Sequence, residues 1–137
     1  MIDFNVDFNY SYAAVMKEKS KRFIDLFYTI FLDKSPKIKE AFKETHIENQ
    51  KKMLAESIVH LVNFYSTKTA SEFMQSLAVM HRDQLKISPD IYDLWLEALL
   101  EAVEGTDEEC TEFKLLAWRI TLAPGMEFMK HSELASS

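Results

Sequence analysis

The sequence predicts an all-α chain, on three observations. Only 2 Gly and 3 Pro occur in 137 residues, too few for the repeated tight turns of a sandwich or barrel. Apolar residues recur at helical rather than alternating spacing. Helix-start signals then fall at regular intervals along the chain. Ser35-Pro36 and Ser88-Pro89 each place a hydroxyl at an N-cap with proline in the first turn, where its missing N–H costs nothing. Three Thr-x-x-Glu boxes, Thr45 to Glu48, Thr69 to Glu72 and Thr106 to Glu109, can each satisfy two orphan backbone donors at a helix start.

These signals predict helices over 11–33, 36–43, 46–66, 70–85, 89–104 and 107–131, preceded by an N-terminal arm at 1–10 and followed by a flexible tail at 132–137. In the fifth, Tyr92, Trp95, Leu96, Leu99 and Val103 line one face, and Gly105 closes the helix as a C′ residue. In the sixth, Phe113, Leu116, Ala117 and Ile120 are expected to form the buried face. Pro124-Gly125 predicts a kink or an early end there, because proline removes a helical donor and clashes with the preceding turn.

With 47% hydrophobic and 28% charged residues, the chain is long enough for one domain with its own core, and no linker or repeat marks a second. Cys110 is the only cysteine, so a disulfide framework or cysteine-based zinc site cannot be built, and a reducing compartment such as the cytoplasm is expected. The opening residues lack a signal peptide's basic start and apolar core, and no later run is apolar enough to span a bilayer, so no membrane association is expected. A net charge of -6 argues against a nucleic-acid partner. The short basic run Lys17, Lys19, Lys21 and Arg22 reads as a solvated face.

The four histidines, His46, His60, His81 and His131, show neither the His-x-x-x-His nor the Glu-x-x-His spacing that sets two ligands on one helical face. No glycine-rich phosphate loop exists, and no nucleophile elbow. His81 is the most informative position: Leu77, Met80 and Leu85 share its side of the helix, making it an imidazole against an apolar interior. Two readings stand, a hydrogen-bonded core histidine or a metal ligand. Upstream, Tyr28 in an aromatic-rich stretch and Gln50 ahead of Leu54 and Ile58 supply a phenol and an amide that can donate hydrogen bonds. His60 reads as structural or exposed, and Cys110 as an inert thiol.

Together these residues resemble the bacterial single-domain globins of the flavohaemoglobin-like, Vitreoscilla-haemoglobin-like type. Phe27-Tyr28 through Ser35-Pro36 to Phe42 looks like the B and C helices, with Tyr28 at the distal tyrosine and Phe42 at the phenylalanine after the C helix. Gln50 and Leu54 are similar to the distal glutamine and the apolar residue one turn on. Leu77 through His81, then Ile87 through Tyr92 and Leu99-Leu100, resemble the proximal histidine region and the start of the G helix; Trp118 falls where an Ala-Trp pair is common in the H helix.

The resemblance implies a globin fold, a three-over-three helical sandwich, here with a shortened corner between the C and E helices. It implies haem b (iron protoporphyrin IX) as cofactor, with His81 as the metal ligand, Tyr92 holding that imidazole, and Tyr28 and Gln50 hydrogen-bonding the distal ligand. Phe42, Leu54, Ile58, Leu77 and Met80 would pack the macrocycle, and His46, Lys51, Lys52 and Arg82 could meet its propionates. Glu127 and Glu133 could extend the proximal pair. No catalytic residue is assigned. The function implied is reversible binding of O2, NO or CO, with nitric oxide dioxygenation if a separate reductase is supplied, by a monomer or homodimer. A haem-based gas or redox sensor and a haem-free helical interaction module remain as alternatives.

Overall fold

The computed structural model describes residues 2–131. Among them seven α-helices follow in order: α1 (Phe4–Tyr12), α2 (Ser20–Leu32), α3 (Pro36–Phe42), α4 (Ile47–Thr67), α5 (Glu72–Asp83), α6 (Pro89–Thr106) and α7 (Glu112–Lys130), with a π-helical turn, Ala13–Glu18, joining α1 to α2. The all-α expectation holds. The expected arm at 1–10 is instead mostly α1, because Asp3 accepts a hydrogen bond from the Asn5 N–H and Phe8 inserts into the core beside Trp118. The tail expected at 132–137 lies outside the described residues.

Helix starts separate the capping signals that work from those that do not. The Ser35 side chain accepts from the Lys37 N–H with Pro36 in the first turn, as expected. Ser88 also occupies an N-cap, but its hydroxyl is engaged by the Asp90 carboxylate rather than by a backbone N–H. None of the three threonine boxes caps a helix. His46 stands at the N-cap of α4, Ser71 at that of α5 and Thr111 at that of α7, one to five residues after the predicted threonines. Ser71 accepts from the Met74 N–H at 3.2 Å and Thr111 from the Lys114 N–H at 3.2 Å. Thr106 is instead the last residue of α6.

The helices assemble around α7, which packs against α1, α4, α5 and α6, while α2 lies along α6. Trp118 is fully buried, and its Nε1–H donates to Ser11 Oγ at 2.8 Å. Ser11 passes a hydrogen bond to Asp107 Oδ2 at 2.8 Å, and Asp107 also accepts from the Glu109 N–H at 3.0 Å. This buried chain ties α1 to the α6–α7 turn with its polar groups paired, which spares it the penalty of unmade hydrogen bonds. Phe23, Phe27, Ile58, Leu99 and Leu122 are also fully enclosed, each contributing about 1.5–3 kcal/mol by leaving water.

Both glycines serve close helix packing. Gly105 lies inside α6 rather than at the expected C′ position, and a Cβ there would sit 2.8 Å from Leu26 Cδ2. At Gly125 a Cβ would sit 2.5 Å from Leu61 Cδ2, so the missing side chain lets α7 approach α4.

Two expectations for the last helix change. It does not end at Pro124: it continues to Lys130, held by buried Leu122, Gly125, Met126 and Met129. The proline frees one carbonyl, at Ile120 on a half-buried side of the helix, so a single lost bond is outweighed by packing. The buried face also differs from the one expected. Ala117, Trp118, Thr121 and Leu122 point inward, whereas Phe113 and Leu116 are exposed.

Candidate functional site

A cleft between α4, α5 and α6 encloses about 950 Å³, counting its open mouth. Its walls are mainly apolar. α4 contributes Gln50, Met53, Leu54, Ser57 and Leu61, a single face at helical spacing. α5 supplies Leu77, Met80 and His81 from the opposite wall. Tyr28 of α2, Phe42 of α3 and Tyr92 of α6 complete the polar and aromatic positions read from the sequence.

α5 is aimed by its first residues. Ser71 Oγ caps the helix and meets His60 Nδ1 at 2.8 Å, while the His60 ring stacks on Phe73 with centroids 4.3 Å apart. His60 is thus structural, joining α4 to α5. At the other end the Ile87 N–H donates to the His81 carbonyl at 2.8 Å, which folds the chain back so that Ser88 and Pro89 start α6 beside the histidine.

That turn brings His81 and Tyr92 together. The Tyr92 hydroxyl lies 3.0 Å from His81 Nδ1, and no other described residue bonds that hydroxyl. Nε2 has no hydrogen-bond partner among the described residues. Burial holds the imidazole at about 4, below the ordinary 6.5, so it is neutral at physiological pH. Burial likewise pushes the Tyr92 phenol up to about 12. In the tautomer whose Nδ1–H donates to the Tyr92 oxygen, the lone pair is on Nε2.

On the α4 side, the Tyr28 hydroxyl donates to the Gln50 backbone carbonyl at 2.8 Å. Burial raises the pKa of Tyr28, so it stays a neutral donor. The Gln50 amide makes no hydrogen bond among the described residues and lines the cleft.

A solved structure from Pseudomonas aeruginosa PAO1, described as that of a protein structurally highly homologous to a human haemoglobin, is similar to this chain: TM-score 0.85, 32% identity, covering 95% of this chain and 98% of that one. The chain belongs to the globin family. No family model matches the sequence, and no curated protein matches it.

Within this globin, most residues singled out from sequence line the same cleft: Tyr28, Phe42, Gln50, Leu54, Leu77, Met80, His81 and Tyr92. Ile58 does not. It lies one turn beyond Leu54, rotated into the helical core, and is fully buried there. The cations expected at the propionates are not in the lining either. His46 is exposed at the N-cap of α4; Lys51 bonds Asp25 at 2.9 Å and Glu48 at 3.4 Å; Arg82 pairs with Asp83 at 2.8 Å; Lys52 is exposed. Glu127 is tied to Lys130 at 3.1 Å, not to Tyr92, and Glu133 lies outside the described residues. Burial, helped by Asp107 and Glu104, raises the Cys110 thiol, in keeping with an inert cysteine.

Several lining residues escaped sequence reasoning. Met53, Ser57 and Leu61 follow Gln50 at three, seven and eleven residues and could have been found by extending that helical face. Met126 and Met129 lie beyond Pro124, where the helix was expected to kink or end. Five of the seven methionines, Met53, Met74, Met80, Met126 and Met129, line this one cleft. Their unbranched, flexible side chains let this wall adapt its shape.

Proposed function

We propose that this globin binds haem b in the cleft through His81 and reversibly takes up a diatomic gas, O2, NO or CO, in the manner of the flavohaemoglobin-like single-domain globins. The observation that carries the reading is the state of His81: neutral, anchored at Nδ1 by Tyr92, and free at Nε2 in a mainly apolar cleft. These are the features an axial imidazole needs. The surrounding residues fit the group as well. Phe42, Leu54, Leu77 and Met80 offer apolar contact to a macrocycle, and adaptable methionines line the remaining wall.

Bound haem supplies an iron with an open coordination position for the gas. The protein's part is to orient and to exclude water. Tyr92 fixes the plane of the His81 ring and, as an acceptor from Nδ1–H, strengthens the imidazole as a donor. Gln50 brings an unengaged amide N–H into the cleft, while Tyr28 holds the backbone of α4 at that residue. Turnover against nitric oxide would need a reductase to return the iron to the ferrous state.

Titration of the protein with haemin, followed by absorption spectra of the ferric, ferrous and CO forms, tests the proposal. The expected result is a Soret band that saturates at one haem per chain with spectra of histidine ligation. A Soret band that never saturates, in a chain with intact helical circular dichroism, overturns it and leaves the haem-free module.

A further inference from the structure

α6 turns one side to solvent and the other to the cleft, and Trp95 stands at the middle of the second. At roughly 100° per residue, Asp90, Asp93, Glu97 and Glu101 share an exposed arc, while Ile91, Tyr92 and Trp95 share the arc opposite. All three of these line the cleft. Ile91 and Tyr92 are buried, yet Trp95 is only half-buried, so the open part of its ring borders the cleft rather than the outer solvent. The ring lies edge-on to Phe27 with centroids 5.6 Å apart, and Phe27 meets Tyr28 at 5.0 Å. Trp95 therefore stands on the Tyr28 side of the cleft, one turn along α6 from the tyrosine that bonds His81. Tryptophan has one polar atom, an N–H that can only donate. At Trp118 it is paired with Ser11 Oγ at 2.8 Å. At Trp95 it bonds no described residue. Nor is it sealed in: among the described residues, Thr106 Oγ1 is the enclosed side-chain polar atom without a partner.

We propose that the Trp95 indole N–H is a further hydrogen-bond donor to the gas held in the cleft, and that it biases the site towards O2 over CO. The proposal rests on haem binding through His81. The Tyr28 hydroxyl is engaged by the Gln50 carbonyl, whereas Gln50 on α4 and Trp95 on α6 offer unengaged N–H groups from two different walls. Dioxygen taken up by a ferrous iron gains negative charge and accepts strongly, while CO stays almost neutral. A donor here therefore slows the release of O2 and hardly affects CO. The indole suits the task, because its apolar body packs on Phe27 while its polar edge remains available. The low polarity of the surrounding wall strengthens such a bond.

The test uses the haem-loaded full chain. With 2 Trp in the sequence, the wild type gives two indole N–H signals in a proton–nitrogen correlation spectrum. Exchange of CO for O2 is expected to move the Trp95 signal downfield and to leave that of Trp118, already held by Ser11, in place. Trp95→Phe, with folding verified by circular dichroism and haem content by the Soret band, should release O2 about tenfold faster, the effect of one hydrogen bond, with CO release changed by less than about threefold. Equal acceleration of both gases would mean that the ring only fills space, and overturns the proposal. So does a pair of indole signals indifferent to the exchange, a result the wild type gives even where the variant does not fold. Failure of the haem reading shows separately, as a wild-type Soret band that never saturates, and overturns both.

Discussion

The Tyr28 hydroxyl donates to the backbone carbonyl of Gln50 at 2.8 Å, so the phenol secures α4 at the residue whose own amide is unengaged in the cleft. The two side chains expected to act together on a bound gas therefore have different primary tasks. Tyr28 is a strut between α2 and α4, and the Gln50 amide is left unengaged in the cleft.

Substitution separates the tasks. Tyr28→Phe should destabilise the protein by about 1 kcal/mol, the worth of one hydrogen bond, measured by urea unfolding. Gln50→Leu should leave stability nearly unchanged and speed O2 dissociation from the haem-loaded protein about tenfold, again one hydrogen bond. Stopped-flow displacement by CO reads the second effect. A Tyr28→Phe effect on O2 release far larger than that of Gln50→Leu would show that the phenol turns to the ligand.

Tyr92→Phe removes the only hydrogen-bond partner of the His81 ring among the described residues while preserving the aromatic body. Haem should be held about tenfold to a hundredfold less tightly, the usual effect of losing a group that orients a metal-binding histidine. The rate of haem transfer to an excess of a haem acceptor measures this.

The pH dependence of the haem-free protein follows from His81. Its pKa is about 4 when folded against 6.5 unfolded. Between those values the unfolded chain holds the extra proton, so stability rises with pH. The contribution is complete above pH 6.5 and is lost as pH falls towards 4. Urea unfolding of wild type and His81→Gln across this window should show a stability difference that shifts in favour of wild type as pH rises. A constant difference would mean that the imidazole titrates normally.

Glycine contacts predict unequal effects of added methyl groups. Gly125→Ala pushes into Leu61, itself buried beside Met74, and should cost about 1–3 kcal/mol by overpacking. Gly105→Ala meets only the end of a half-buried Leu26 side chain and gains helix propensity of about 1 kcal/mol, so it should be close to neutral. Thermal unfolding of the two variants reads the contrast.

Much of this was legible in sequence, for identifiable reasons. Helical spacing set Leu77 and Met80 on the side of His81 and Leu54 one turn after Gln50, while the resemblance to the single-domain globins is what joined Tyr28, Gln50, His81 and Tyr92 into one site. Local chemistry was less transparent. Thr45, Thr69 and Thr106 carry the capping pattern, yet tertiary packing starts the helices elsewhere, with Ser71 fixed by His60. The face of α7 was misread because Phe113 and Leu116 look like core, and a single hydrophobic period cannot tell a core stripe from an exposed one. At Pro124 the local rule allowed a kink or an early end; the helix does not end there, because buried Met126 and Met129 hold its last turns.

The central claim is that Nε2 of His81 is the protein's bond to haem iron. His81→Gly, loaded with haem and titrated with imidazole, tests it most directly. The variant should lose the spectra of histidine ligation, and imidazole should restore them saturably by filling the space the side chain leaves. Haem spectra in the variant identical to those of wild type without imidazole would contradict the claim.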